Sequence, residues 1–466
     1  MAQEQLKPWV VVSRSSDWKR LEKHLFQADG HEHGAVLCCG VDKANRRLIV
    51  RHVLLAKDAS DFVQHGYSYR LEPAFISRAL TKCKNEGLSY IAVHNHGGHG
   101  SVAFSRTDLA SHERGYPALL SILSGPPVGA LVFAHDAVAG DIWEPAGRAV
   151  VESMVVCGAR RQEFFPCQLP MRAMLPEEVN EAFEAQVHLL GARGQALLGR
   201  LQVAVVGAGG AGSMILQALT HLGVGGLVSV DPDRLERSNR PRVVYATPDD
   251  EPTSRRLGTL KVDIAKRGAR IVCPDMPFET YPLSVDDPSA AAAVTRCDAI
   301  FLAADTAVAR HVVNAISHQY LIPTFQVGAK AIPVGGRIDS AFAVARILGP
   351  DGLCMWCAGL IDSTKLQVDA LPPEERAAAE YVPGVRQPSV YTMNAMSSAL
   401  ALNDFLFTFT GLQRSQDLGP REYDFLNRRA LRTVLGKARR VCAECERRRG
   451  RADGLRLPIR WTPSAA

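Results

Sequence analysis

Short apolar runs of strand length, separated by polar and glycine-rich breaks, mark the first 160 or so residues. GAVLCCGVD (34–42) and RRLIVRHVLLA (46–56) read as strands, and AFISRALTKCKNEG (74–87) as a helix. SYIAVHNH (89–96) reads as a strand running into a histidine-rich loop, with ALVFAHD (130–136) and GDIWEP (140–145) as late strands. This texture predicts an α+β domain over residues 1–160. A proline-interrupted linker over 161–182 passes into a helix that ends near Arg200. From there the rhythm changes to LQVAVV, GAGGAG, SMILQALTHLG and GLVSVD, a strand, a glycine loop, a helix and a strand. DAIFLAADT, AVARHVVNAISHQ and TFQVGA continue the alternation. The prediction for residues 183–450 is a doubly wound, mostly parallel sheet of Rossmann-like α/β type, followed by a tail over 451–466.

Length supports this division, since 466 residues exceed one ordinary core. Composition is that of a globular chain, 47% hydrophobic and 22% charged, with a mild net charge of +6. Arginine concentrates near the C-terminal end in ARRVCAECERRRGR, where a solvated charged face is expected and no nucleic acid partner. No run of 18 apolar residues occurs, and MAQEQLKPWVVVSRSS lacks the sections of a signal peptide; no membrane association and a cytoplasmic location are expected. Eleven cysteines in such a chain do not suggest a disulfide framework. Four of them form two C-x-x-C pairs, Cys354/Cys357 and Cys442/Cys445, and the rest mostly sit in apolar runs.

HNHGGHGSVAFSRTD (94–108) holds the first candidate chemistry. His94 and His96, two apart at a strand end, point the same way and can reach one ion, with Asp108 as the natural third ligand. Two plainer readings stand beside this one. Ser105-x-x-Asp108 also suits a helix capping box, and a histidine-rich loop can simply be solvated. The stretch resembles the H-x-H…S-x-x-D motif of the JAB/MPN (JAMM) metallopeptidases, whose fold is similar to that of cytidine deaminases. Glu32-His-Gly-Ala-Val-Leu-Cys-Cys-Gly40 resembles that family's glutamate-bearing strand. The resemblance implies a catalytic Zn²⁺ on His94, His96 and Asp108, with Glu32 taking a proton from the attacking water and Ser105 stabilising the oxyanion. Eight residues (Gly97 to Phe104) separate His96 from Ser105, one more than in the family pattern, and make His99 a rival ligand.

Gly207-Ala-Gly209-Gly210-Ala-Gly212 follows a strand and opens a helix, so its amides can hold phosphate; Asp231 ends the next strand, where a carboxylate binds a ribose hydroxyl. Alone, this fits a dinucleotide site equally well. Its surroundings resemble the ThiF/MoeB/E1 superfamily, which adenylates the C-terminus of ubiquitin-like proteins. Asp231-Pro-Asp233 with Ser238-Asn239-Arg-Pro-Arg242, then Gly258-Thr-Leu-Lys261, then Asp305 with Arg310, match its signature segments. The resemblance implies that ATP is bound, that Lys261 and Arg242 neutralise phosphate charge beside Asn239, and that Asp305 holds Mg²⁺. It also implies a structural Zn²⁺ on Cys354, Cys357, Cys442 and Cys445. For Arg310 the preferred reading is a salt bridge on a helix face.

The chain departs from that pattern in three places. Val243 replaces the usual glutamine, the arginine expected near Ala185-Gln186 is missing, and Glu380 and Tyr381 stand where thioester-forming members carry cysteine. No cysteine lies between Cys357 and Cys442, so Cys157 and Cys167 are the only substitutes considered. Together the two resemblances imply a bifunctional enzyme of a prokaryotic ubiquitin-like modification system. It would adenylate the C-terminal glycine of a β-grasp carrier and cleave after that glycine, as a homodimer, with an E2-like protein or a sulfur donor as further candidate partner. The alternatives are sulfur-carrier activation with trimming of the carrier precursor, and a non-catalytic scaffold built from two decayed enzyme domains.

Overall fold

The computed structural model describes residues 6–66, 68–167, 181–335, 337–352, 354–371, 375, 388–412, 421–432, 442 and 444–460. It divides into two units. The first comprises Met1–Ala173, Gln319–Leu321 and Arg448–Arg456; the second comprises the remainder.

In the first unit, β1 (Trp9–Arg14) leads into α1 (Ser15–Leu25), then β2 (Gly34–Asp42) and β3 (Arg47–Leu55). A small hairpin, β4 (Phe62–His65) and β5 (Ser68–Leu71), precedes α2 (Pro73–Glu86) and β6 (Ser89–Asn95). Then come α3 (Arg106–Leu123), β7 (Val128–Phe133), β8 (Val138–Glu144), β9 (Gly147–Cys157) and β10 (Gln162–Phe164). The main sheet runs β1-β3-β2-β6-β7-β8-β9-β10, and a parallel β1–β9 pairing closes it on itself. Every residue of β2 is buried, which explains its unbroken apolar run: it has packing on both faces. Trp18, Leu21 and Leu25 of α1 join the core on one side, where Leu37, Val93 and Leu131 also sit. Phe75, Ala79 and Cys83 of α2 pack with Val36, Cys38 and Tyr90 on the other. Pro73 starts α2 without forfeiting a needed donor, and Gly87 ends it in left-handed conformation at φ 65°.

The second unit begins with α4 (Glu184–Leu198), β11 (Gln202–Val206), α5 (Gly210–His221) and β12 (Gly226–Val230). It continues with α6 (Lys261–Val272), β13 (Phe278–Tyr281), α7 (Pro288–Thr295), β14 (Ala299–Leu302), α8 (Ala307–Tyr320), β15 (Thr324–Val334) and β16 (Arg337–Leu348). The short α9 (Ser363–Asp369), the long α10 (Tyr391–Thr410), β17 (Arg421–Asp424), β18 (Arg429–Arg432) and α11 (Cys445–Arg448) complete it. Five strands pair in parallel in the order β13-β12-β11-β14-β15, and β16, β17 and β18 extend the sheet antiparallel. The order reverses between β11 and β14, the point where doubly wound sheets open a ligand crevice. The antiparallel extension is absent from the sequence reading, because its strands belong to hairpins that no βαβ rhythm announces.

Two expected boundaries fall inside structure. The linker expected from 161 begins on a strand, since Gln162–Phe164 pairs with Met154–Val156. The arginine-rich end is only partly a solvated face. Arg448 is buried, Arg451 bonds Glu86, the Arg449 carbonyl accepts from Arg51, and Asp453 accepts from the Lys43 amide. Arginine fork geometry suits such multiple contacts better than open solvent does.

Candidate functional site

The first cluster follows from strand register. Gly34 pairs with His94 across β2 and β6, which brings Glu32, just before β2, beside the histidines. Gly34 has no substitute here: a Cβ would lie 2.1 Å from the Tyr69 ring, whose hydroxyl donates to the Val93 carbonyl at 3.0 Å. His94 Nε2 and His96 Nε2 stand 3.2 Å apart, and Asp108 Oδ2 lies 3.5 and 3.6 Å from them. Tetrahedral zinc with donors at about 2.0 Å separates its ligand atoms by about 3.3 Å, so the donor set and spacing fit zinc. Glu32 Oε1 is 3.7 Å from His96 Nε2, at the edge of the cluster and near enough to handle a proton.

Asp108 also completes the capping box. Its Oδ2 accepts from the Ser105 amide at 2.8 Å and hydroxyl at 2.7 Å, while its own amide donates to Ser105 Oγ at 3.1 Å. The metal and capping readings therefore coexist in one side chain. Burial works against its charge, but hydrogen bonds from His94 and Ser105 outweigh that and hold its carboxyl below the usual range. His99 stands apart from this cluster: exposed, stacked on His135 at 4.7 Å, with Asp136 at 3.9 Å. Gly98 and Gly100, on either side of His99, take positive φ.

The second cluster lies at the carboxyl ends of β11, β12 and β14. Gly207 turns the chain at φ 97°, and a Cβ on Gly212 would meet the Gly207 carbonyl at 1.7 Å, so α5 can start this close only on glycine. Asp231 braces the loop, accepting from the Ala208 amide at 2.6 Å and the Asp233 amide at 2.8 Å. Burial pushes its carboxyl up, against the pull of Lys261. Lys261, nearly buried, donates to Asp233 Oδ2 at 2.6 Å. The aliphatic stem of Arg242 lies near Gly210, while its guanidinium donates to the Ser238 carbonyl at 2.7 Å; Asn239 donates to Ser238 Oγ at 3.2 Å. Gly209 opens the helix as its N-cap, and Asp305 is exposed on the loop after β14.

Two expectations need correction or explanation here. Arg310 forms no salt bridge within 4 Å among the described residues; it is largely buried and donates to the Leu360 carbonyl at 3.1 Å, with Asp305 and Asp369 as distant charge partners. Val243 packs with Leu235 and Ile264 in a small apolar cluster, so its side chain is spent on packing. Sequence reasoning missed Asn394 on α10. Its Nδ2 lies 2.3 Å from the place of a Gly210 Cβ and donates to Ser389 Oγ at 3.0 Å. Asn394, Ser397 and Ser398, at helical spacing in an apolar helix, were the available signal.

The four cysteines of the two C-x-x-C pairs converge, with their sulfurs all within 4.8 Å of one another and Cys354 and Cys442 3.6 Å apart. Zn–S bonds of about 2.3 Å in a tetrahedron put sulfurs about 3.8 Å apart, so this donor set also fits zinc. Burial pushes the Cys442 thiol up, but the amides of Cys445 and Glu444 and neighbouring thiols bring it down to about 7. Cys157 is buried and Cys167 exposed, which leaves Cys167 alone accessible of the two substitutes; Glu380 and Tyr381 lie outside the described residues. No described helix is long and apolar enough to cross a membrane.

The model of the ThiF family matches residues 183–426, more than half of the chain. Over 168 residues the chain is 34% identical to the SAMP-activating enzyme E1 of Haloferax volcanii, covering 36% of this chain and 57% of that one. Over 125 residues it is 34% identical to the sulfur carrier protein adenylyltransferase of Thermus thermophilus, covering 27% and 44%. Over 168 residues it is 30% identical to ubiquitin-like modifier-activating enzyme 5 of Drosophila willistoni, covering 34% and 38%. The chain thus spans about half the length of the curated relatives it matches.

Proposed function

The chain belongs to the ThiF family, and from that premise we propose that residues 183–450 adenylate the C-terminal glycine of a ubiquitin-like carrier, while residues 1–160 form a zinc hydrolase that cleaves after the same glycine. One observation carries the adenylation reading: the Gly207–Gly212 loop, the Asp233–Lys261 pair and Asp305 gather at the switch point between β11 and β14. A carrier carboxylate oxygen attacks the α-phosphorus of ATP, the bond to the β-phosphate oxygen breaks, and pyrophosphate leaves. Two anions must meet, so Lys261 and Arg242 neutralise charge as it develops, Asn239 donates a hydrogen bond, and the loop amides hold phosphate oxygens. Asp305 would hold Mg²⁺, which would supply further neutralisation. Lys261 enters the reaction from its bond to Asp233, which keeps the ammonium aimed at the crevice before substrate arrives.

For the hydrolase, the support is the convergence of His94, His96 and Asp108 with Glu32 at their edge. Zinc held by the three ligands would polarise the scissile carbonyl as a Lewis acid. Glu32 takes a proton from the attacking water and returns it to the leaving amine, and Ser105 turns its hydroxyl from Asp108 Oδ2 to the developing oxyanion. Cys354, Cys357, Cys442 and Cys445, whose sulfurs converge, would hold a structural zinc. Seven cysteines outside that cluster, none of them in a disulfide, suit a reducing, cytoplasmic compartment, and a homodimer is the proposed assembly.

A sulfur-carrier role is the second reading, favoured by the likeness to the Thermus adenylyltransferase and by the lack of cysteine between Cys357 and Cys442. Carrier-dependent exchange of labelled pyrophosphate into ATP tests both, using a β-grasp protein ending in glycine. Exchange without a reducible carrier–enzyme band on a non-reducing gel is expected. No exchange with any such carrier would leave the scaffold reading in possession.

A further inference from the structure

A groove of about 410 Å³ opens in the first unit, away from the residues of either cluster described above. Its floor is apolar: Val53, Leu54 and Leu55 of β3, with Phe75 and Ala79 of α2. Arg20, Lys57, Arg78 and Lys82 surround it, with Asp61 the single acidic residue lining it. Asp61 is already committed, accepting from the Lys57 amide at 3.0 Å and pairing with Arg78. Arg20 has only a loose contact with Asp17 at 3.6 Å, and Asp17 is bound more closely by Arg14 at 2.6 Å. Lys82 shares Glu86 with Arg51, His52 and Arg451. Lys57 has no carboxylate partner among the described residues. The surface is oversupplied with cations around an apolar floor.

The floor is also an open strand edge. β1 pairs with β3 only over Arg47–Ile49, so from Arg51 to Leu55 the strand has a partner, β2, on one side alone. The Ala56 amide bonds the Gly34 carbonyl, and antiparallel alternation then turns the peptide groups of Leu54 toward β2 and those of Val53 and Leu55 away. The outward N–H and C=O groups of Val53 and Leu55 have no partner among the described residues, although Val53 is 8% exposed. Buried main-chain groups are nearly always paired, so these call for a bonding partner from outside the fold. A single lysine suffices to guard an exposed edge against other strands. Four cations around three strand residues go beyond that and select for negative charge.

We propose that this groove takes an extended acidic peptide segment of a partner protein, which adds to the free edge of β3 as a strand. Main-chain bonds to Val53 and Leu55 give affinity, alternate apolar side chains meet Phe75 and Ala79, and acidic side chains face Arg20 and Lys57. At about 3.3 Å per residue, the open edge engages three to four residues of the peptide.

The probe is a fluorescein-labelled peptide alternating aspartate and valine over about six residues, titrated by anisotropy against the full chain. Binding that weakens steeply with salt is expected. Arg20→Glu combined with Lys57→Glu, both exposed, is expected to weaken it at least about tenfold with an unchanged circular dichroism spectrum. N-methylation of one alternate set of peptide amides is expected to weaken it similarly, while methylation of the other set is tolerated. A lysine–valine peptide is expected not to bind. Undetectable binding to the wild type, equal tolerance of both methylated peptides, or complete displacement by inorganic phosphate would each overturn the proposal, the last by assigning the groove to small anions.

Discussion

Asp108 in the first unit faces two histidines and caps a helix with the same oxygen, whereas in the second unit these jobs fall to different residues. There the four cysteines share no member with the glycine loop, and Asp231 braces that loop while Asp233 and Asp305 are left for charge chemistry. The difference teaches where function and stability can be separated. In the first unit a change at Asp108 alters both the histidine cluster and the cap that starts α3. In the second, the cysteine cluster and the glycine-loop crevice share no side chain, so a substitution in one leaves the side chains of the other in place.

The largest effects expected are chemical, and they divide cleanly between the units. Asp305→Ala or Lys261→Ala is expected to lower carrier-dependent pyrophosphate exchange by about 10³-fold or more while leaving cleavage of a carrier fusion intact. Glu32→Ala is expected to lower that cleavage by 10²–10⁴-fold, an order-of-magnitude range for a lost general base, with zinc retained and exchange unchanged. Cross-talk, in which either variant silenced both assays, would break the comparison.

Next in size is the effect of breaking the cysteine cluster proposed to hold zinc. Cys354→Ser or Cys445→Ser is expected to reduce zinc from two per chain to one, a count that follows from the two clusters. Folded yield of the second unit is expected to fall, because binding energy at such sites is folding energy. Elemental analysis with thermal melts checks this. A soluble double variant with full exchange activity would show that the cluster is dispensable.

How much of this was legible beforehand differs between the units for a physical reason. The histidine cluster of the first unit joins His94, His96 and Asp108, close in sequence and linked by one loop, so spacing made a shared ion one reading beside a helix cap and a solvated loop, and the resemblance chose between them. Glu32 came from the resemblance of Glu32–Gly40 to a family strand, and the Gly34–His94 pairing is what sets it beside the histidines. The glycine loop between its strand and helix was readable because a βαβ unit is local, whereas the order of strands in the sheet was not. Asn394 was not, because its place against Gly210 depends on how α10 packs on the loop, a contact made across most of the second unit. The open edge of β3 was equally hidden. RRLIVRHVLLA reads as one uniform strand, and nothing in it tells where β1 stops pairing.

A smaller effect tests the double use of Asp108. Asp108→Ala is expected to abolish zinc at the first cluster and cost about 1 kcal/mol of stability through the lost cap. Ser105→Ala is expected to cost a similar amount while keeping the metal, and His99→Ala to leave zinc content and the melt unchanged. Zinc loss in His99→Ala with retention in Asp108→Ala would move the site onto the loop.

The smallest effect concerns Glu86, where Arg51, His52, Lys82 and Arg451 meet. Burial opposes its charge, but the hydrogen bonds from Arg51 and Lys82 and the charge around it bring its carboxyl down to about 2. A folded-state value below the unfolded one means that the unfolded chain takes up the proton first as pH falls. The contribution is therefore complete above the ordinary glutamate range near pH 4.5 and is lost as pH drops toward 2. Glu86→Gln is expected to melt below the wild type at pH 6, with the gap shrinking steadily through pH 4 and pH 3. Because these side chains keep part of their surface in solvent, salt should shrink the gap as well. Arg451 belongs to the Arg448–Arg456 stretch, so the same variant should speed amide exchange there while leaving α6 and the nucleotide loop unchanged. A gap independent of pH would mean that Glu86 contributes through shape alone, and that the arginine-rich end is held by its main-chain bonds.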